Sequence, residues 1–349
     1  MREFSEYEKM PNSLKKLELD EIDFARLEKL LWVVTEKVHG ANFSFVYEQG
    51  KLTYAKRKAP LSWQDDFFGF QSVVSRIEDQ VLSLFEEVST TIKGNRYILY
   101  GELFGGKYPH PDVIPDPNVE AIQTGVYYAP FIEFCAFDLA IETTGADSKY
   151  YLDYKTTLSF LEKHKIFHAK ALFIGKFGEA FNFNTRMNST IPRALHLPEL
   201  KDNLIEGVVI KPFGLLGNHS ISPRPIVKIK NAEFEEENKY HQAQKWTYLP
   251  NVASKAEELS FLVEELRNYV TSNRLHSAIS KIGPMELSNH KRMAEIRTEF
   301  LKDTLSDFNE NNHYLLDDLS VEQQNWIKER IKYEINQVIH TFNHTKGLL

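Results

Sequence analysis

The stretch Glu36-Lys37-Val38-His39-Gly40-Ala41-Asn42 decides the fold of this chain, and it lies at the end of the apolar run Leu30-Leu31-Trp32-Val33-Val34. Such a run predicts a buried strand that places Lys37 in a pocket. The glycine at position 40 then follows where a side chain would be in the way. A lysine attacks only in its deprotonated form, so we expect burial and cationic neighbours to disfavour its ammonium form.

Five later stretches carry charged or aromatic residues on or beside apolar runs. They are Tyr54-Ala55-Lys56-Arg57, Tyr100-Gly101-Glu102-Leu103-Phe104-Gly105-Gly106, Phe134-Cys135-Ala136-Phe137-Asp138, Glu206-Gly207-Val208-Val209-Ile210-Lys211-Pro212 and Val227-Lys228-Ile229-Lys230. Taken alone, Lys-x-His-Gly is short enough to occur by chance, and a lone lysine is more often a solvated surface residue. The nucleophile hypothesis for Lys37 therefore depends on the whole ordered set.

This ordered set resembles the covalent nucleotidyltransferases, and specifically the RNA ligase 2 family, which includes the phage enzyme and the kinetoplastid RNA-editing ligases. The Lys-x-His-Gly-Ala-Asn form of the first motif separates the chain from DNA ligases and capping enzymes, in which Lys-x-Asp-Gly is usual. The resemblance runs from about Phe4 to about Lys230. It implies an ATP-dependent RNA ligase that seals 3′-hydroxyl/5′-phosphate ends, preferably nicks in duplex RNA, in RNA repair or editing.

The resemblance also implies the reaction. Lys37 would attack the α-phosphorus of ATP to give a lysyl-AMP phosphoramidate and pyrophosphate. The AMP would pass to an RNA 5′-phosphate, and an RNA 3′-hydroxyl would then displace AMP. His39 is implied to act when the RNA ends are joined.

Lys228 and Lys230 are two residues apart, so on a strand their side chains point to the same face. Two cations on one face of an apolar strand are costly unless an anion lies opposite them. The alternative is a solvated strand edge that carries two lysines. We expect the pair to hold the α-phosphate of ATP and to stabilise the charge that develops there.

The resemblance implies further nucleotide contacts, and the residue types suit them. Carboxylates accept hydrogen bonds from sugar hydroxyls and bind hard cations, which suits Glu102 at the ribose and Glu206 near the metal and the reacting phosphate. An aromatic residue in a strand is usually core, but Phe137 corresponds to the residue that stacks on adenine. The other implied contacts are Val209 opposite Phe137, Glu36 and Lys211 at the base edge, Arg57 at the sugar and phosphate, and Asn42 near Lys37 or the RNA end.

ATP carries a highly charged triphosphate, so we expect Mg²⁺ to bridge the phosphates, with Mn²⁺ as a substitute and Glu206 as a candidate ligand. The histidines and the single cysteine, Cys135, show no spacing typical of a zinc site. That lone cysteine also excludes an internal disulfide and fits a reducing compartment. The acidic start of the chain does not read as a signal or transit peptide, and we expect an intracellular protein, cytoplasmic or virus-encoded.

The composition, with 42% hydrophobic residues, is that of a globular protein of 349 residues. No apolar run is long enough to span a membrane. The net charge of −7 is unusual for a protein that binds nucleic acid, but a local basic groove can coexist with an acidic remainder. We expect a monomer whose partners are ATP and nicked duplex RNA.

The patterns along the chain predict an α+β fold, with an antiparallel-sheet adenylyltransferase domain (1–243) followed by a smaller all-helical domain (244–349) and a boundary near 240–250. Alternation predicts a hairpin over 43–55, and apolar residues at three- and four-residue intervals predict a helix over 70–92. Further strands are expected over 96–104, 132–141 and 171–174, and a helix over 154–164. Apolar stripes predict helices around 259–270, 293–305 and 321–340.

The helical domain also carries cations that fit a clamp on duplex RNA beside the nick through phosphate contacts. Acidic residues are interleaved with them, so a solvated helix face is an equal alternative. The candidates are Lys281, Lys291, Arg292 and Arg297.

Two other functions compete with an RNA ligase. One is a DNA-joining or capping nucleotidyltransferase, against which His39 argues because aspartate is usual at that position. The other is an inactive RNA-binding relative, which would be expected to lack one of the charged motif residues. All of them are present, namely Lys37, Glu102, Glu206, Lys228 and Lys230.

Overall fold

The computed structural model divides the chain into two compact units, residues 1–233 and 234–349. It describes residues 6–143 except 18 and 20, and then 149–214, 224–231, 234, 262–263, 265–312 and 314–346. The boundary expected near 240–250 lies outside the described residues, as do most of the connection expected over 215–225 and Leu259 of the predicted helical stripe.

In the first unit, the described strands form two antiparallel sheets. The larger has the order β4-β3-β2-β5-β6-β7 and the smaller the order β10-β9-β1-β8. The strands are β1 Leu31–Glu36, β2 Ala41–Glu48, β3 Lys51–Lys56, β4 Ala59–Leu61, β5 Arg96–Gly105, β6 Ile132–Glu142, β7 Lys149–Tyr151, β8 Ala171–Lys176, β9 Gly207–Pro212 and β10 Val227–Lys230.

The hairpin between β2 and β3 confirms the prediction for this stretch. Phe45 lies opposite Tyr54, and the turn contains Gln49 and Gly50, both with positive φ. A two-residue turn with two positive φ values follows the right-handed twist of the strands that it joins. It therefore holds the end of β3, and with it Arg57, beside the strand that follows Lys37.

Helices pack against the larger sheet. The helices of this unit are α1 Glu21–Leu27, α2 Phe70–Thr91, α3 Tyr154–Lys163, α4 Phe177–Phe181 and α5 Ile191–Ala194, with a short 3-10 helix at Leu14–Leu17. Helix α2 buries Val74, Val81 and Phe85 among its apolar residues, at the helical spacing that predicted it. These side chains join a core that includes Phe43, Leu99 and Phe134 from the sheet.

Strand β1 lies at the centre of a second core. Trp32 and Val34 are fully buried with Val208 and Ile210 of the neighbouring strand β9. The indole of Trp32 donates a hydrogen bond to the carbonyl of Leu27 at 2.9 Å. Because the strand is held on both faces and paired on both edges, its final residues have a fixed position.

The second unit is helical in its described part, which confirms the α+β fold with a helical C-terminal region. Its helices with described bounds are α6 Ser272–Ile282, α7 His290–Asn311 and α8 Val321–Lys346, with a 3-10 helix at Leu315–Asp318. Among the described side chains of α8, Ile327, Ile331, Ile335 and Ile339 are buried, one helical turn apart. No helix among the described residues is both long and apolar enough to cross a membrane.

Candidate active site

Lys37 directly follows β1, and its backbone is fixed from β9. Its N–H donates to the carbonyl of Gly207 at 2.9 Å. Its side chain is 18% exposed, and the ammonium donates to Oε2 of Glu206 at 2.6 Å. The nucleophile candidate is thus a largely buried lysine held by a carboxylate.

Basic side chains surround the carboxylate of Glu206. Among the described residues, Nδ1 of His39 lies 3.2 Å from Oε2, and Nζ of Lys230 lies 3.3 Å from Oε1. Burial alone would raise the pKa of Glu206, but the charges of Lys37, Lys230 and His39 outweigh it and hold that pKa well below its ordinary value. Glu206 is therefore an anion shared by side chains of two other motifs, Lys37 and His39 of the first and Lys230 of the last.

Glu102 is the second carboxylate of the site. It lies on β5 opposite Asn42 of β2. Burial raises the pKa of Glu102 to about 7 and the charge of Glu206 adds to this, while Lys37 and Arg57 act in the opposite direction. This carboxyl group therefore changes its charge near neutral pH.

Two glycines allow the strands to approach closely at this point. A Cβ at Gly40 would lie 2.0 Å from the carbonyl oxygen of Leu103. A Cβ at Gly207 would lie 2.1 Å from the carbonyl oxygen of Ile229, and Gly207 also has a φ of 158°. A larger residue at position 40 would push the lysine loop, residues 37–40, away from β5. A larger residue at position 207 would push β9 away from β10.

Strand β10 places Lys228 opposite Val209 and Lys230 opposite Gly207. The two lysines lie on one face, and Lys230 reaches Glu206. The structure thus brings Lys37, His39, Glu206 and Lys230 together, with Lys228 two residues along on the same face.

A buried ionic cluster lies beside Phe137. The ammonium of Lys211 donates to the carbonyl of Phe137 and to Oδ1 of Asp138, both at 2.8 Å. Asp138 also accepts bonds from the hydroxyl of Tyr7 at 2.6 Å and from the guanidinium of Arg224 at 2.5 and 2.9 Å. Burial alone would raise the pKa of Asp138, but Arg224 and Lys211 hold it well below its ordinary value.

Sequence reasoning assigned no role to Tyr7 or Arg224. They lie 131 and 86 residues from Asp138, and neither is part of a recognisable motif. The sequence position of Asp138 does indicate that it has a partner, because an acid inside the apolar run from 132 to 142 requires one when it is buried.

The carboxylate of Glu36 is buried and has partners within the protein. It accepts hydrogen bonds from the hydroxyl of Ser189 at 2.6 Å and from the N–H and hydroxyl of Thr190, both at 2.9 Å. Burial raises its pKa, and these hydrogen bonds act in the opposite direction. The side chain therefore attaches β1 to the segment before α5, a contact that the polar stretch from 181 to 200 did not reveal.

The remaining nucleotide candidates lie at the edges of this site. Phe137, Val209, Arg57 and Asn42 are each partly buried. The ring of Phe137 packs edge-on against that of Tyr7, with centroids 5.3 Å apart. The amide of Asn42 lies 3.5 Å from the carbonyl oxygen of Gly101, beside Glu102.

The cations of the helical unit differ in their surroundings. The ammonium of Lys281 is 11% exposed and pairs with the carboxylates of Glu299 and Asp303 on α7. Lys291 is exposed, and Arg297 is exposed and donates to the side chain of Asn336 at 2.9 Å. Arg292 lies 3.9 Å from Glu286. Lys281 thus joins two helices, whereas Lys291 and Arg297 face the surface.

The RNA ligase family model matches residues 30–230, more than half of the chain, and the model described as T4 RNA ligase 2 C-terminal matches residues 253–337. The chain therefore belongs to the RNA ligase family of enzymes, as an RNA ligase 2-like member.

Named relatives agree with this assignment. The chain is 28% identical to the mitochondrial RNA-editing ligase 2 of Trypanosoma brucei brucei, over 79% of this chain and 76% of that protein. It is also 28% identical to the mitochondrial RNA-editing ligase 1 of the same organism, over 79% of this chain and 70% of that one.

A solved RNA ligase of Naegleria gruberi is 16% identical to this chain and aligns with a TM-score of 0.41. The alignment covers 66% of this chain and 56% of that one, so this chain spans little more than half of the Naegleria structure.

Proposed function

We propose that this protein is an ATP-dependent RNA ligase that joins 3′-hydroxyl and 5′-phosphate ends, preferably at nicks in duplex RNA, and that it acts in RNA repair or editing. The observation that carries the proposal is the arrangement at Glu206, whose oxygens lie 2.6 Å from the ammonium of Lys37 and 3.3 Å from that of Lys230. Covalent nucleotidyl transfer uses a lysine nucleophile and neighbouring cations that bind the phosphate. Membership of the RNA ligase family supports RNA as the substrate.

In the first step, Nζ of Lys37 forms a bond to the α-phosphorus of ATP, and the bond from that phosphorus to the bridging oxygen breaks to release pyrophosphate. The ammonium of Lys37 gives up one proton to the solvent before the attack and a second as the N–P bond forms, and the phosphoramidate nitrogen keeps the third. Lys228 and Lys230 neutralise the charge that develops on the α-phosphate oxygens. Their place on one face of β10, with Lys230 at Glu206, supports this role.

In the second step, the 5′-phosphate of RNA takes the AMP from Lys37 and restores the free amine. In the third, the 3′-hydroxyl attacks the activated phosphate, forms the phosphodiester and releases AMP. We assign His39 to this joining of ends. Its imidazole lies 3.2 Å from Glu206, close enough to orient the carboxylate while the RNA ends are in place.

The nucleotide is held by residues around this cluster. Glu102 accepts a hydrogen bond from the ribose, and Arg57 binds the sugar and phosphate with its forked guanidinium. Phe137 and Val209 enclose the adenine, and both are partly buried, Phe137 on β6 of the larger sheet and Val209 on β9 of the smaller one. The remaining contacts are Glu36 and Lys211 at the base edge and Asn42 beside Lys37.

A divalent cation suits this donor set. Among the described residues, no group of three or more acidic, histidine or cysteine side chains forms a metal cage. Mg²⁺ in nucleotide enzymes is typically held by one or two carboxylates together with phosphates, so Glu206 would suffice as the protein ligand. When bound, Mg²⁺ or Mn²⁺ would neutralise charge on the phosphates as pyrophosphate leaves.

The helical unit is proposed to bind RNA through phosphate contacts. The exposure of Lys291 and Arg297 on α7 supports this, and Arg292 adjoins them. The ion pairs of Lys281 with Glu299 and Asp303 support a structural role for this lysine rather than RNA binding. We propose a monomer that works inside the cell, cytoplasmic or virus-encoded; the trypanosome relatives are named as mitochondrial proteins.

The test is a sealing assay on one duplex sequence with a single nick, made as all-RNA, all-DNA and both hybrids, with either ATP or GTP. We expect sealing with ATP when both sides of the nick are RNA. Sealing of DNA alone would indicate a DNA-joining enzyme, and transfer of GMP would indicate a capping enzyme. Binding to the RNA without sealing would indicate an inactive relative.

A further inference from the structure

The connection between β5 and β6 is unusually long. Residues 106–131, all described, contain no helix or strand. Connections longer than about 12–15 residues without secondary structure are uncommon in compact domains and are usually functional. This one is also packed into the unit, because Tyr108, Val126 and Tyr128 are each at most 3% exposed. Its ends are therefore packed into the unit, whereas its middle, residues 111–120, is mostly exposed.

Tyr128 places a hydroxyl group at the lysine loop. Its ring packs edge-on against Phe104 of β5, with centroids 5.2 Å apart. Its hydroxyl oxygen accepts a hydrogen bond from the N–H of His39 at 2.9 Å. Burial raises the pKa of Tyr128 well above its ordinary value and so favours the neutral phenol, whose oxygen has lone pairs to accept from that N–H.

The same connection is fixed from the other side of the site. The side-chain amide of Asn203, three residues before Glu206, exchanges two hydrogen bonds with the backbone of Tyr127, at 2.7 and 2.9 Å. Asn203 is 6% exposed. Tyr127 is thus held to the segment that carries the carboxylate, and the next residue, Tyr128, holds the loop that carries the lysine.

The lysine loop, residues 37–40, has other anchors as well, among them Gln123, whose side-chain amide lies 3.5 Å from the carbonyl oxygen of Gly40. Residues 37–40 lie between β1 and β2 and make no strand pairing. The N–H of Lys37 donates to Gly207, and Gly40 lies against the backbone of Leu103. Between these two points, the contact with Tyr128 fixes the backbone of His39. A shift there would move the imidazole, which lies 3.2 Å from Glu206.

We propose that Tyr128 is a positioning residue for the ligase reaction, whose hydroxyl fixes the backbone of His39 so that the imidazole meets Glu206. This inference rests on the proposed function. The plainer interpretation, a core tyrosine whose hydroxyl happens to satisfy a buried N–H, predicts a loss of stability alone. Positioning predicts a loss of rate in a protein that folds and binds ATP normally.

The variant is Tyr128→Phe, which removes only the hydroxyl, and its matched control is Tyr127→Phe one residue earlier. Single-turnover sealing of nicked RNA is measured over a range of ATP concentrations, together with thermal unfolding. We expect Tyr128→Phe to lower the maximal rate constant by about 10- to 100-fold, because small misplacements of reacting groups are that costly. The half-saturating ATP concentration and the melting temperature should stay close to those of Tyr127→Phe.

The double variant with Tyr128→Phe and His39→Ala tests whether Tyr128 affects the sealing rate through the imidazole of His39. If Tyr128 acts through the imidazole, Tyr128→Phe should change the rate by less than about twofold in the His39→Ala background. An undiminished loss there would overturn the proposal. Equal sealing rates for Tyr128→Phe and Tyr127→Phe would also overturn the proposal. The same holds if the loss of sealing rate in Tyr128→Phe disappears once the rate is divided by the fraction of folded protein.

Hydrogen exchange at the His39 amide provides a readout that needs no activity. Tyr128→Phe should speed this exchange, and Tyr127→Phe should not. If the unsubstituted protein seals no RNA, the proposed function fails, and unchanged exchange would independently refute the contact. Faster exchange in a protein without ligase activity would leave Tyr128 as an anchor of the loop and refute its part in catalysis.

Discussion

The ammonium of Lys37 lies 2.6 Å from a carboxylate oxygen of Glu206, although the two residues are 169 positions apart. Their meeting follows from strand pairing. Glu36, the last residue of β1, lies opposite Val208 of β9, so the residue after one strand adjoins the residue before the other. Two buried apolar strands thus fix two charged residues just beyond their ends.

Replacement of Glu206 by glutamine should affect both activity and stability. Gln keeps the size of the side chain but leaves Lys37, His39 and Lys230 without their anion. We expect the rate of adenylylation to fall by about 100-fold or more. The free energy of unfolding should fall by about 2 kcal/mol, less than for fully buried pairs because the cations are 17–18% exposed. Glu28→Gln, at an exposed position, is the control, and equal activity in the two variants would contradict the assigned role.

Asp138→Asn should be more destabilising, because this aspartate is buried between Lys211 and Arg224. Removal of one partner of a buried ionic cluster costs about 3–5 kcal/mol. Its pKa is lower in the folded chain than in the unfolded one, so its contribution is present above about pH 4 and lost as the pH falls further. Denaturant unfolding at pH 7 measures the loss. Asp112→Asn, at an exposed position, should change stability by less than about 0.5 kcal/mol.

Glu102 should make stability depend on pH in the opposite sense. Its pKa rises from 4.5 to about 7 on folding, so the folded chain binds its proton more tightly. The stabilisation is present below pH 4.5 and is lost as the pH rises through 7, by up to about 3 kcal/mol. Unfolding free energies measured from pH 5 to pH 8 without nucleotide should therefore fall less steeply for Glu102→Gln. Parallel curves for the two proteins would refute the shift.

The helical unit offers a matched pair of lysines. Lys281→Ala leaves the carboxylates of Glu299 and Asp303 without their cation, and should lower stability by about 2–4 kcal/mol. Lys291→Ala should leave stability unchanged but weaken RNA binding and reduce its salt dependence by about one unit of slope. Thermal unfolding and binding at several salt concentrations measure both. Unchanged RNA binding in Lys291→Ala would argue for a solvated helix face.

Local sequence patterns predicted much of the fold. The spacing of Val74, Val81 and Phe85 predicted α2, and the turn at Gln49 and Gly50 predicted the hairpin. The edge strands β4 and β7 were not predicted. Each has three residues, too few for a periodic pattern, and their pairing is set by the neighbouring strands. The short helix α4 begins after the strand expected over 171–174, and α5 lies in the polar stretch 181–200, where a surface loop or a small helix was expected.

The sequence predicted the motif residues of the site but not the residues that contact them. The charged residues near Lys37 were found because each lies beside an apolar strand in a fixed order. The partners of those residues were not found, because they come from connections without a pattern. Arg224 at Asp138, Ser189 at Glu36 and Tyr128 at His39 are contacts over 86, 153 and 89 residues. Such contacts depend on the packed fold and not on local spacing.

Covalent labelling of the lysine tests the central claim most directly. The protein is incubated with ATP labelled at the α-phosphate and with Mg²⁺, and the modified peptide is identified by mass spectrometry. Lys37→Ala is compared with Lys51→Ala, an exposed lysine at the start of β3. The account predicts AMP on Lys37 in the unsubstituted protein and in Lys51→Ala, and none in Lys37→Ala. Labelling that persists in Lys37→Ala, or AMP attached to another residue, would contradict it.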